Sequence, residues 1–208
     1  MWYAVLVAAL VTYLLGNLNG AVCVSALMHD DVRSHGSGNA GLTNFIRNYG
    51  NARALYVVAI DAGKAFLACH TAGLILQPYG YGVEGMVLGG VCVMLGHDFP
   101  ALLGFHGGKG ILSGWFVAWA IDWRVALLIA VVFFGAYFLT RFVSMCSLLA
   151  AAAFGIGMVA FHIHEPWVIA GGVFMSLLTI FMHRANLIRL IKGKEKKTHL
   201  FRAKRNHE

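Results

Sequence analysis

Val125-ALLIAVVFFGAYF-Leu139 is fifteen residues without a charge or a side-chain amide. Its apolar residues follow no helical stripe, so a helix formed here is apolar all round and is covered on every side by protein or lipid. Six further apolar stretches surround it, near Trp2–Met28, Ala54–Leu76, Gly82–Leu95, Ile111–Ile121, Leu148–Phe161 and Trp167–Met182. A hydrocarbon core takes roughly 20 apolar residues per helix, and seven such spans use nearly all of the 208 residues. The composition agrees: 59% of residues are apolar, 12% are charged and the mean hydropathy is +0.72. A soluble domain carries about twice that charge. The reading is an all-α, polytopic integral membrane protein with about seven transmembrane helices, forming a single domain over residues 1–208. Ile111–Ile121 is short for a full crossing, so five spans with re-entrant pieces is the other way to thread the chain.

Charge position orients it. Sixteen basic residues stand against nine acidic ones, and nine of the basic residues follow His183. In the seven-span threading, the loops after spans one, three and five and the tail hold Arg33, Arg47, Arg53, Lys109, Arg141 and those nine, whereas the opposite loops hold only Arg124. Positive residues stay on the cytoplasmic side. The N-terminus is therefore expected outside, with residues 183–208 a basic cytoplasmic tail. Such a tail beside an apolar span fits an anionic membrane face rather than nucleic acid. No basic n-region precedes the first apolar run, which reads as a retained span rather than a cleaved signal. Cys23, Cys69, Cys92 and Cys146 are scattered without a CxxC spacing, so neither a disulfide framework nor a zinc site is indicated. The glycines within spans suit close helix packing. Trp115, Trp119 and Trp123, every fourth residue, suit packing and interfacial anchoring.

Every polar-rich loop falls on the predicted cytoplasmic side. In the first, Ser37, Gly38, Asn39, Gly41, Asn44 and Arg47 combine tight turns, neutral donors and a guanidinium fork suited to phosphate oxygens. In the second, His97 precedes Gly107-Gly108-Lys109-Gly110 at the start of a span, where a lysine and a helix N-terminus can meet a phosphate. This is not a Walker A loop, since Leu103 occupies the first glycine position and Gly110 follows the lysine. The third loop brings Arg141, Ser144 and Ser147, and the last span ends in His183 and Asn186, three apart on one helix face. Inside the second span, Asp61 and Lys64 are also three apart and read as a mutual pair. HExxH, GxSxG and HxxxxD patterns are all missing, and with no ligand clusters neither a metal nor a cofactor is expected. The inventory fits a phosphate-bearing small molecule presented at a lipid surface.

Three segments, Gly36-SGNAGLTNFIRNYG-Asn51, Gly96-HDFPALLGFHGGKG-Ile111 and His183-RANLIRLIKGKE-Lys196, with the weaker Arg141-FVSMCS-Leu148, resemble the bacterial acyl-phosphate:glycerol-3-phosphate acyltransferases, the PlsY family. The resemblance extends over the whole length. It implies transfer of a fatty acyl group from acyl phosphate to the C1 hydroxyl of glycerol 3-phosphate, giving lysophosphatidate and phosphate at the cytoplasmic face of the bacterial inner membrane. It also implies active-site positions at Ser37, Arg47, Lys109, Ser147, His183 and Asn186. Ala40, Ala65, His106 and Ala185 depart from the family's usual residues, and His106 replaces a fixed positive charge.

On this reading Arg47 and Lys109 bind phosphate, assisted by Ser37 and the loop N–H groups of Gly38, Gly41 and Gly108, with Asn39, Asn44, His97 and Ser147 also lining the substrates. His183 and Asn186 orient the glycerol hydroxyl. The proton acceptor is His183 or a substrate phosphate, and a covalent Ser37 intermediate is a third route. The partners are acyl phosphate, glycerol 3-phosphate and membrane lipid, with no nucleic acid and no obligate protein partner. The competing readings are a transporter for a phosphorylated solute, a non-catalytic lipid-binding scaffold, and a paralogous acyltransferase with another acyl donor.

Overall fold

A computed structural model of the chain describes residues 1–198, and within them ten α-helices and three short 3-10 turns account for the regular structure, with no strand. The basic tail expected over 183–208 runs partly beyond this: Arg202, Lys204 and Arg205 lie outside the described residues.

Each of the seven apolar stretches is helical. The first is a bent pair, α1 (Trp2–Gly16) and α2 (Gly20–Ala26), turned by 46° where the Asn19 side chain caps α2 on Val22 N–H. After α3 (Leu42–Tyr49) come α4 (Asn51–Leu76), α5 (Gly82–Asp98), α6 (Ile111–Ile121), α7 (Trp123–Thr140) and α8 (Val143–Phe161). The seventh stretch is α9 (Pro166–Met182), opened by proline at its first position, which suits a residue without an N–H. A 55° bend at His183 leads into α10 (Arg184–Ile191).

By length and composition, α5 with its following turn, α7 and α8 can each cross a membrane alone, and the count reaches five if each bent pair is one span. The other two expected spans are helices of a different kind. α6 has only eleven residues, and α4, with 26, carries Asp61 and Lys64 in its middle. Leu10, Leu67, Leu74, Val131, Phe138, Leu139 and Leu177 all face outward. Apolar surface so widely spread has no place in water.

Small residues bring the backbones together. A Cβ on Gly16 would stand 2.7 Å from Gly96 Cα, fixing α1 against α5, and one on Gly85 would stand 2.6 Å from the Ala72 carbonyl oxygen, fixing α5 against α4. Ala65, Ala68 and Ala72 of α4 are fully buried along the same seam, the small-residue packing that lets helices approach where hydrophobic burial is unavailable. Trp115 packs against the core and donates its indole N–H to the Ala126 carbonyl, whereas Trp123 is exposed. At one end of the bundle, His162 joins the α6–α7 turn to the α8–α9 turn, with Nε2 3.2 Å from Asp122 and Nδ1 3.0 Å from Glu165. The polar loops gather at the other end.

Candidate active site where four loops meet

The first loop is shaped by one side chain. Asn44, at the start of α3 and buried, donates to the carbonyls of Val32, His35 and Asn39 at 3.0, 3.0 and 3.1 Å and accepts from Ser37 N–H at 3.0 Å. Gly36 and Gly38 take left-handed φ values of +59° and +71°, which the tight turn requires. Asn44 therefore differs from the expectation that it lines the substrate: its amide is committed to building the loop. Ser37 is left exposed, Asn39 contributes its carbonyl to Asn44, and Gly41 precedes α3 as its N-cap. One turn along α3, Arg47 reaches across and donates to the Thr198 hydroxyl.

The second loop is pinned from beneath. Tyr13 donates its hydroxyl to the Phe99 carbonyl at 2.8 Å and accepts Ala101 N–H at 3.1 Å, and Asn17 accepts Leu102 N–H at 3.0 Å. Gly108 N–H donates to the His97 carbonyl at 3.0 Å. A Cβ on Gly107 would overlap that carbonyl, and one on Gly108 would overlap His97 Nε2, so the chain passes only as glycine. His97 is buried under the turn, its Nδ1 2.7 Å from Lys64 Nζ, rather than lining an open site. Gly110, in the left-handed region at φ +72°, delivers the chain into α6.

Lys109 leaves this turn and donates to the Asn186 side-chain carbonyl, joining the second loop to the α9–α10 junction. The Asn186 amide nitrogen donates to Ser144 Oγ at 2.8 Å and to Glu195 Oε1 at 2.9 Å, while Ser144 itself donates to the same carboxylate. Arg189 Nε completes the cluster on Glu195 Oε2 at 2.7 Å. The Glu195 side chain is only 7% exposed. Burial pushes its carboxyl up, but the hydrogen bonds from Ser144, Asn186 and Arg189 outweigh burial and hold it below the usual glutamate range. Ser147, expected at the site, instead donates to the Val143 carbonyl of its own helix at 2.9 Å and is 1% exposed.

His183 is buried at the bend. Its Nδ1 lies 2.8 Å from the Thr179 carbonyl, which can only accept, so Nδ1 carries the proton and Nε2 keeps the lone pair in the neutral ring. Burial pulls the Lys109 ammonium down to about 8, and the charges of Arg189, Arg47 and Arg184 push the same way against the opposing Glu195. Among the described residues, four cations thus act on one place with a single carboxylate between them, a field suited to phosphate. Among the described residues no three His, Cys, Asp or Glu side chains lie together as metal ligands would.

The structure therefore brings together Arg47, Lys109, His183 and Asn186, and adds three residues that the sequence reading did not assign: Ser144, Arg189 and Glu195. In the sequence Glu195 is one of only two acids in a basic tail, the other being Glu208.

A helical chain with exposed apolar flanks and a cationic loop cluster defines a membrane-associated protein that handles anionic small molecules, and comparison with known proteins narrows this. Residues 6–193 match the family model described as glycerol-3-phosphate acyltransferase. Curated glycerol-3-phosphate acyltransferases from Neisseria gonorrhoeae and Mesorhizobium japonicum are 32% and 35% identical, over 91% and 95% of this chain and 95% and 97% of their own. The crystal structure of PlsY, an integral membrane glycerol 3-phosphate acyltransferase, in its glycerol 3-phosphate form is similar with a TM-score of 0.84 at 28% identity, covering 95% of this chain and 99% of that one. The lysophosphatidic acid form gives 0.81, again at 28% identity, over 94% and 96%. The chain belongs to the glycerol-3-phosphate acyltransferase family, as a PlsY-type member.

Proposed function

We propose that the protein transfers a fatty acyl group from acyl phosphate to the C1 hydroxyl of glycerol 3-phosphate, releasing phosphate and 1-acylglycerol 3-phosphate. It acts at the cytoplasmic face of a bacterial inner membrane, as a seven-span protein with its N-terminus outside and without an obligate protein partner. The observation that carries this reading is the convergence of Arg47, Lys109, Arg184 and Arg189 around Asn186 and His183, with Glu195 the one opposing charge among the described residues.

Acyl phosphate is a mixed anhydride, so its leaving group needs little acid help. The barrier lies in bringing two phosphate-bearing molecules together, and orientation within one site can contribute about 7–11 kcal/mol. Arg47 and Lys109 offset the repulsion between the phosphates, with Ser37 and the Gly41 N–H as neutral donors; the N–H groups of Gly38 and Gly108, expected to assist, are given instead to the His35 and His97 carbonyls at 3.0 Å each. Asn39, and His97 through the turn it supports, complete the lining. Asn186 is oriented by Ser144 and Glu195 so that its carbonyl faces Lys109. The glycerol oxygen attacks the acyl carbonyl, the new C–O ester bond forms, the bond to the phosphate oxygen breaks, and the hydroxyl proton passes to His183 Nε2.

The donor is tested by mass spectrometry of the products formed from glycerol 3-phosphate with palmitoyl phosphate or palmitoyl-CoA. The reading predicts 1-palmitoylglycerol 3-phosphate from the former alone, and product from the thioester alone would overturn it.

A further inference from the structure

The ion pair inside α4 is a group of buried charges that this chemistry leaves unused. Asp61 and Lys64 are 2.7 Å apart and their side chains are 2% exposed. Such a pair is weak evidence for stability, because desolvation offsets much of the attraction, but its surroundings are specific. The Lys64 ammonium has three N–H bonds and three acceptors: Asp61 Oδ1, the Leu18 carbonyl at 2.8 Å and His97 Nδ1 at 2.7 Å. The Asn19 amide nitrogen approaches the same Nδ1 at 3.5 Å. The two groups within hydrogen-bonding distance of Nδ1 are donors, and the Asp61 Oδ1 that also faces it stands 3.9 Å away, beyond a hydrogen bond, so Nδ1 accepts and the ring proton sits on Nε2.

That N–H edge faces the Gly107–Gly110 turn, since Nε2 is the atom a Cβ on Gly108 would strike. Asn19 reaches the other way and donates to the Ala40 carbonyl of the first loop at 2.9 Å. Asp61 also accepts Gly20 N–H at 3.1 Å, where α2 begins. One buried chain of hydrogen bonds thus runs beneath both loops.

We propose that Lys64, held by Asp61, is a positioning residue for the phosphate site: it fixes His97 as the neutral Nε2–H tautomer, setting the seat and polarity of the Gly107–Gly110 turn, while Asn19 ties the same imidazole to the first loop. With the proton on Nδ1 instead, a lone pair would face a turn that holds an anion. The inference rests on the acyltransferase reading in that these loops hold the substrate phosphates.

The test avoids leaving a buried charge unpaired. Asp61→Asn/Lys64→Met removes both charges and the donor to Nδ1, whereas Asp61→Asn/Lys64→Gln removes the charges and restores a donor. Nitrogen-15 NMR of histidine-labelled protein, assigned by the signal lost in His97→Gln, reads the tautomer. The wild type should show His97 protonated on Nε2 with a bare Nδ1, and the Met pair should lose this pattern. The Met pair should raise KM for glycerol 3-phosphate or acyl phosphate about tenfold with kcat within about threefold, the pattern of lost uniform binding, and the Gln pair should recover most of it. An Nδ1–H tautomer in the wild type, or equal KM values in the two double variants, would overturn the inference. The tautomer is read without turnover, so a wild type that transfers no acyl group would count against the acyltransferase reading instead.

Discussion

Lys109 and Asn186, 77 positions apart, are joined by a hydrogen bond from the ammonium to the side-chain carbonyl. The same amide, through its nitrogen, is held by Ser144 and Glu195. The Gly107–Gly110 turn and the end of α9 are thereby one unit, and the lysine charge is aimed by a side chain that cannot rotate freely.

Lys109 is expected to set the alkaline limb of activity. Its ammonium is drawn down to about 8 by burial and by neighbouring arginines, so in the free enzyme the charge is lost as pH rises through that value. The kcat/KM profile, which reports the free enzyme, should fall above pH about 8. Lys109→Arg should move that limb upward, and Lys109→Ala should lower kcat/KM about 100-fold, equal to roughly 2.7 kcal/mol. An unchanged alkaline limb in Lys109→Arg would remove the assignment.

His183 keeps its Nε2 lone pair because Nδ1 is tied to Thr179. His183→Gln should reduce kcat by about 10²–10⁴, the usual worth of a general base. A variant retaining more than about a tenth of wild-type kcat would move the proton to a substrate phosphate.

Glu195 should matter for folding as well as for the site. Glu195→Ala leaves donors on Asn186, Ser144 and Arg189 without their acceptor, which costs about 1–3 kcal/mol, read as a lower unfolding temperature in detergent; Glu195→Gln should cost less. Because the folded carboxyl is held below its ordinary value, its contribution is present above that value and is lost as pH falls below it. Equal unfolding temperatures for wild type and Glu195→Ala would contradict this.

Two glycines give opposite expectations. Gly108→Ala places a Cβ on His97 Nε2 and should abolish most activity, whereas a Cβ on Gly63, mid-way along α4, meets nothing within 4 Å. Gly63→Ala should leave activity intact and add about 0.5–1 kcal/mol of helix stability. Assay and thermal unfolding of the two variants side by side would check both.

Helix positions were legible because apolar runs and polar breaks are local signals: Ile111–Ile121 has the same bounds in sequence and structure. The short helix α3 was not anticipated, being too brief and too polar to register as a span, and the last span, expected to run on through Asn186, instead bends by 55° at His183 and continues as α10. Arg47, Lys109, His183 and Asn186 could be picked out by residue type and loop position. The choice between Ser144 and Ser147 depends on the helical phase at the start of α8, which residue type does not reveal. Glu195 enters the cluster only because the chain after α10 folds back over the site, so that Thr198 N–H meets the Arg141 carbonyl. No local pattern encodes that return.

The most direct test of the central claim is phosphate release from palmitoyl phosphate by the purified protein in detergent, measured with and without glycerol 3-phosphate. The account predicts release that depends on glycerol 3-phosphate and matches it mole for mole with acylated product. Release independent of the acceptor, or none from folded protein, would contradict it.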